Sequence, residues 1–198
     1  MNTISNQLTN WLVRTQVITE EERELYQYGI FQIVVNMLDI FSIFLIAMLF
    51  HKVWATFFYT ICFCILRKYA GGYHAKSVGG CYLMTVGFTT IMLLIIRYYK
   101  FSLIGIVVIW FLSGISIFLL VPVQNRNKEL DEVEQQVYRK RAIKVWVFES
   151  ILMWILYSFG FLETAEGILL SNVFILISMM AELKYLLMLA TKSKQLCK

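Results

Sequence analysis

His74 and Cys81 stand seven residues apart in "RKYAGGYHAKSVGGC" (67–81), a stretch that also holds Gly71, Gly72, Gly79, Gly80 and the cations Arg67, Lys68 and Lys76. A thiol attacks a carbonyl only as its thiolate, which forms most readily beside a base or at a helix N-terminus. Both conditions converge on Cys81. Gly79-Gly80 precede it and an apolar run follows, which predicts a place in the first turn of a helix. A glycine-flanked loop can carry His74 back to meet it. The two glycine pairs permit tight turns and close backbone approach, and backbone N–H groups freed by such turns can point at a developing oxyanion. A Cys–His pair is the minimum equipment for covalent acyl transfer. The competing reading is a chance neighbourhood of one histidine and one cysteine. A metal site has weaker support: the only histidines are His51 and His74, and the topology below sets them on opposite sides. No metal or other cofactor is expected.

The elements around this stretch are apolar. Of 198 residues, 59% are hydrophobic and 16% charged, and the mean hydropathy is +0.67. Soluble domains sit near 45–50% apolar and about 25% charged. Continuous apolar runs outnumber period-two alternation, so the fold class expected is all-α, a polytopic integral membrane protein forming one unit over 1–198. Six transmembrane helices are expected near 28–50, 53–70, 81–98, 101–121, 145–162 and 167–188. The first 27 residues are polar, with Glu20, Glu21, Glu22 and Glu24, and lack the apolar core of a secretory signal. Within them Ile4, Leu8, Trp11 and Leu12 recur at helical spacing, which suits an amphipathic helix on the membrane surface. Thr19 and Glu22 have the spacing of a capping box opening the next helix. Cys62 and Cys64 lie inside an apolar run and Cys197 in the tail, where packing or incidental tail chemistry is the expected role.

With six spans, fifteen Lys and Arg fall on the side that holds both termini, the 67–81 stretch and the 122–144 loop, against only Lys52, Arg97 and Lys100 on the other. That asymmetry predicts cytoplasmic termini and a cytoplasmic 67–81 loop. The net charge of +5 is then a membrane-surface feature, with lipid as a partner and no nucleic acid. The 122–144 loop places acids first (Glu129, Asp131, Glu132, Glu134) and bases last (Arg139, Lys140, Arg141, Lys144), an order that suits a helix macrodipole. A surface helix on anionic lipid and a docking site for an acidic peptide are both consistent with it. Inside the spans, Gln32, Asn36 and Asp39 share one helical face, and Glu149 is a second intramembrane carboxylate. Asp39 is a candidate orienting group for His74, although its mid-span depth disfavours it. Helix-to-helix hydrogen bonding is the alternative.

Arg67, Gly72, His74 and Cys81 in their place after the second span resemble the signature of the accessory gene regulator B (AgrB) family. Chain length, the polar N-terminal segment and the loop opening at Pro122 extend the resemblance over nearly the whole chain. It implies a bacterial cell-membrane cysteine endopeptidase, a thiol protease without a cofactor. Such an enzyme removes the C-terminal part of a small amphipathic propeptide and helps close the remainder into a quorum-sensing thiolactone or lactone. By the same resemblance His74 and Cys81 are the catalytic pair, Arg67 and Gly72 hold the substrate or the loop, and a second copy of the chain is a candidate partner. One departure stands out: in "NRNKELDEVE" acids follow Lys128, where a more uniformly basic, proline-bearing stretch is expected. The runner-up readings are a small peptide transporter using Gln32, Asn36, Asp39 and Glu149 as a polar path, and a membrane partner without enzymatic activity.

Overall fold

A computed structural model describes residues 2–73, 75, 77–123 and 131–196, with side chains described within 3–188. Seven helices follow in order: α1 (Asn2–Arg14), α2 (Arg23–Leu49), α3 (Val53–Ala70), α4 (Val78–Tyr98), α5 (Leu103–Leu120), α6 (Glu132–Ser158) and α7 (Leu162–Leu196). No strand forms among the described residues, in keeping with the all-α expectation.

Local chemistry sets the helix starts. The Ser77 and Ser102 hydroxyls accept the Gly80 and Gly105 N–H groups at 3.1 and 3.2 Å, capping α4 and α5. The Asp131 carboxylate accepts the Glu134 N–H at 2.6 Å and caps α6. Only half of the capping box at Thr19 forms. The Glu22 carboxylate accepts both the N–H and the hydroxyl of Thr19 at 3.1 Å. The Thr19 hydroxyl thus donates rather than accepting an amide, and α2 begins at Arg23 instead of near residue 20.

Helices occupy all six positions where spans are expected, but they differ in character. α2, α4, α5 and the Leu162–Met188 part of α7 are long and apolar enough to cross a membrane. α3 has 18 residues and ends on Arg67 and Lys68. α6 turns apolar only after Lys144. The 122–144 segment, expected as a connecting loop with a surface helix ahead of a separate span, is helical from Glu132 and runs unbroken into that apolar part. Between Asp131 and Ser158 there is no glycine or proline to stop it.

α7 is the central helix. Two-thirds of its apolar window is buried (67%), against 17–22% in α2, α4 and α5, and it packs on α3, α4, α5 and α6. Leu66 and Phe63 of α3, Leu93 of α4, Ile117 of α5, Trp146 of α6 and Ile175 of α7 meet in its main core. The outward faces of α2 and α5 are apolar, with Phe41, Phe44, Ile104 and Phe111 exposed, the inverse of a water-soluble surface. α1 packs on α2 through buried Ser5 and Thr9 and leaves Ile4, Leu8 and Trp11 outward.

Close packing depends on missing side chains at two places. A Cβ on Gly167 would lie 2.9 Å from the Ala55 carbonyl oxygen, and one on Gly114 would lie 2.6 Å from the Trp146 ring. That ring cannot readily yield, because it stacks on Trp110 at 5.7 Å. Gly114→Ala is therefore expected to cost about 1–3 kcal/mol through overpacking and to lower the unfolding temperature in detergent. Gly87→Ala, with nothing within 4 Å of its Cβ, should leave that temperature unchanged or raise it. Equal effects of the two substitutions in thermal unfolding would contradict this packing.

Candidate active site

Cys81 is the fourth residue of α4, after the Ser77 cap, and its N–H donates to the Ser77 carbonyl at 3.1 Å. The thiol thus sits in the first helical turn, on the side of the helix where the macrodipole favours negative charge. The residue is half-buried. It lines a cavity of about 340 Å³ between α2, α3 and α4.

Arg67, in the last turn of α3, lines the same cavity. Its guanidinium donates from Nη2 to the Tyr73 carbonyl at 2.5 Å and from Nη1 to Ser178 Oγ at 3.4 Å. It also lies 5.4 Å from the centre of the Phe63 ring. One cation therefore ties the chain just ahead of His74 to α3 and to α7. Of its five N–H donors, two are used in these bonds.

The glycines before Tyr73 let the chain approach this anchor. Gly71 and Gly72 have φ of +79° and +126°, where a side chain is strained. A Cβ on Gly71 would lie 2.1 Å from the Val123 carbonyl oxygen, and one on Gly72 would lie 2.7 Å from Ser178 Oγ. With those side chains absent, the Val123 N–H donates to the Ala70 carbonyl at 2.9 Å and the Tyr73 N–H to the Ser178 carbonyl at 3.0 Å. Gly72 is thus a point of contact with α7. His74 lies outside the described residues.

Among the other polar residues, Asn36 and Asp39 line the Cys81 cavity and Gln32 does not. Gln32 donates to Asn36 at 3.0 Å. Asp39 Oδ1 is shielded from solvent and has no hydrogen-bond partner. The mid-span depth that disfavoured Asp39 does not separate it from Cys81, because α2 begins well before its apolar run and its middle is level with the start of α4. The Ser42 and Tyr82 hydroxyls, 2.9 Å apart, fix that level. Glu149 is 2% exposed, with neither carboxylate oxygen bonded. It lines a different cavity, about 250 Å³, together with Cys62 and Lys144. Cys64, expected to be a packing residue, is exposed and shares the Cys81 cavity. Ser178 had no signal in the sequence: a serine in an apolar helix is ordinary, and its partners are more than a hundred residues away.

A larger cavity of about 610 Å³ opens at the other end of α3, lined by His51, Lys52 and Glu163 among others. The Lys52 ammonium pairs there with Glu163. No cysteine is among its lining residues.

Fold and site together define a helical membrane protein with a half-buried thiol at the start of one helix, facing an interhelical cavity. The chain belongs to the AgrB family: the accessory gene regulator B family model matches residues 5–184, as the motif resemblance implied. A protein of Clostridium perfringens (strain SM101 / Type A), named AgrB-like, is 28% identical over 149 residues, 69% of each chain. A second, named AgrB-like protein 2, from Clostridium perfringens (strain 13 / Type A), is 26% identical over 166 residues, 78% of this chain and 77% of its own. No solved structure matches the chain.

The docking of 71–73 on α7 gives a direct prediction. Gly72→Ala forces a Cβ against Ser178 in a backbone region that costs about 1–3 kcal/mol for a residue with a side chain. The Tyr73 amide should be protected from hydrogen exchange in the wild type and exchange about tenfold faster, or more, in Gly72→Ala. Unchanged protection would contradict the docking.

Proposed function

We propose that this protein is a membrane cysteine endopeptidase of agr quorum sensing, which cuts a small amphipathic propeptide and promotes closure of the retained part into a thiolactone or lactone. The observation that carries the reading is Cys81 itself: a half-buried thiol in the first turn of α4, sharing a cavity with Arg67. Family membership supports it.

In the proposed reaction His74 takes the Cys81 proton, and the thiolate attacks the propeptide carbonyl. The tetrahedral intermediate collapses, the C–N bond breaks, and His74 returns the proton to the leaving amine. The retained fragment is then a thioester on Cys81. A thiol or hydroxyl within the same fragment attacks it, a new C–S or C–O bond closes the ring, and Cys81 leaves and recovers a proton. Exchanging a thioester for a thiolactone conserves the bond type, so the step needs no ATP. Arg67, through the Tyr73 carbonyl, holds the chain next to His74, and Gly72 permits that chain to lie against α7.

The proposed topology has six spans in the cell membrane, with both termini and the 67–81 stretch cytoplasmic. The fifteen-to-three distribution of cations supports it. α3 and the apolar part of α6 would serve as the two shorter crossings, and the outward Ile4, Leu8 and Trp11 of α1 would rest in the lipid interface. A transport path has less support, since Asp39 and Glu149 line separate cavities that share no residue.

The reading is tested with the full chain in lipid, mixed with a propeptide. Wild type should cleave it, and Cys81→Ala and His74→Ala should each lower the rate at least about a thousandfold. Efficient cleavage by Cys81→Ala would refute the covalent mechanism. For the topology, single cysteines at Lys52 and Lys140 are labelled from outside intact cells. Lys52→Cys should react and Lys140→Cys should not; the reverse would overturn the orientation.

A further inference from the structure

The cavity that holds Cys81 is elongated, and its lining orders it. On α2 it runs from Asn36 to Ile43, and on α4 from Cys81 to Thr89. Seven or eight residues of helix are roughly 11–12 Å. Cys81, Arg67 and Asn36 line it together with apolar Ile43, Phe63, Met84 and Phe88 and with Tyr59, Thr60, Thr85 and Thr89. Asp39 also lines it, and its shielded Oδ1 has no partner within the protein. An extended peptide advances about 3.3 Å per residue, so the slot accommodates about three residues. A volume of about 340 Å³ falls at the small end of ligand sites, which span about 300–1,000 Å³.

We propose that this slot is the acyl-side specificity site: it binds the two or three residues that precede the scissile carbonyl, selects apolar side chains, and offers Asp39 to one of their main-chain N–H groups. The inference rests on the peptidase reading above and deepens it. Three observations carry it. First, the proposed nucleophile lines the slot. The fragment that becomes bonded to Cys81 must remain beside it until the ring closes, whereas the amine fragment must leave. A mainly apolar slot suits the retained fragment. Second, much of the lining is apolar, and a polar side chain set against Ile43, Phe63, Met84 and Phe88 would lose its water without gaining a partner there. Third, a carboxylate oxygen kept from water requires a donor, and an extended peptide supplies one at every residue except proline. A filled slot also displaces water from beside the thioester, which favours ring closure over hydrolysis.

The test uses the full chain in lipid and propeptides that differ only in the residue donating the scissile carbonyl: Leu, Trp, Ala, Asp or Lys. Wild type should prefer Leu to Asp and to Lys by about tenfold or more in kcat/KM. Met84 lines the slot one turn beyond Cys81. Met84→Trp should lower kcat/KM for the Leu substrate about tenfold or more and spare the Ala substrate. Met84→Ala should shift preference toward Trp. Asp39→Asn retains an acceptor oxygen and should keep most activity, while Asp39→Leu should lose about tenfold. Labelling of Cys81 by iodoacetamide in each variant confirms a folded site. If Met84→Trp fails to fold, the substrate series on wild type and Met84→Ala decides the matter. An active wild type that treats Leu, Asp and Lys alike, or is indifferent to both Met84 substitutions, overturns the slot and leaves the peptidase reading standing. A preference for Lys that Asp39→Leu abolishes also overturns it, because Asp39 would then read a cation. A wild type whose Cys81 is labelled but which cleaves no propeptide overturns both.

Discussion

A chain that leaves a helix among apolar neighbours must find new partners for its backbone groups, and the turn after α3 meets that demand with four bonds. The Gly71 N–H donates to the Arg67 carbonyl, and the Ala70 carbonyl accepts from Val123. The Tyr73 N–H donates to the Ser178 carbonyl, and the Tyr73 carbonyl accepts from the Arg67 side chain. Backbone N–H and C=O groups kept from water are costly unless they are paired. Here protein supplies the partners from α3, from the chain just after α5, and from α7.

That requirement explains the neighbourhood of the thiol. The left-handed backbone at Gly71 and Gly72 and their clearance from Val123 and Ser178 let the chain lie close enough to make the bonds. Arg67 closes the arrangement because its forked donors reach the Tyr73 carbonyl and Ser178 at once, a geometry that a lysine ammonium cannot reproduce. With residues 71–73 fixed on α7 and α4 capped at Ser77, Cys81 is held in the first turn of a helix facing a defined slot. Two small residues and one cation thus anchor, on the central helix, the chain that leads to the Cys81 thiol. A substitution at Ser178, far from the motif in sequence, acts on the same anchor.

The helical fold was legible because apolar runs of this length have few alternatives. Where a span is expected at 53–70 the chain forms a helix with the same bounds, α3 (Val53–Ala70), although α3 is not among the four helices long and apolar enough to cross a membrane. The misread boundaries have physical causes. Gly79-Gly80 look like loop, but the Ser77 cap supplies an acceptor that carries α4 back to Val78. The charged stretch before Lys144 reads as a surface helix apart from the next span, yet Glu, Gln, Arg and Lys are good helix formers and nothing interrupts them, so α6 runs through both. At the site, Arg67, Gly72 and Cys81 were visible as an unusual cluster of types. Ser178 was invisible, since it meets Arg67 across 111 residues of chain. The place of Asp39 beside the thiol was equally hidden, because it follows from the relative heights of α2 and α4, which no spacing within either helix encodes.

The most direct measurement is a search for the acyl-enzyme on Cys81. A propeptide whose internal nucleophile is replaced by alanine can be cut but cannot close its ring, so the thioester should accumulate. The full chain in lipid is mixed with this propeptide, quenched in acid and digested, and the peptide containing Cys81 is weighed by mass spectrometry. The covalent account predicts a mass increase equal to the retained fragment, removed by hydroxylamine and absent from Cys81→Ala. Cleavage of the propeptide with no such adduct at any time point, and undiminished in Cys81→Ala, would contradict it.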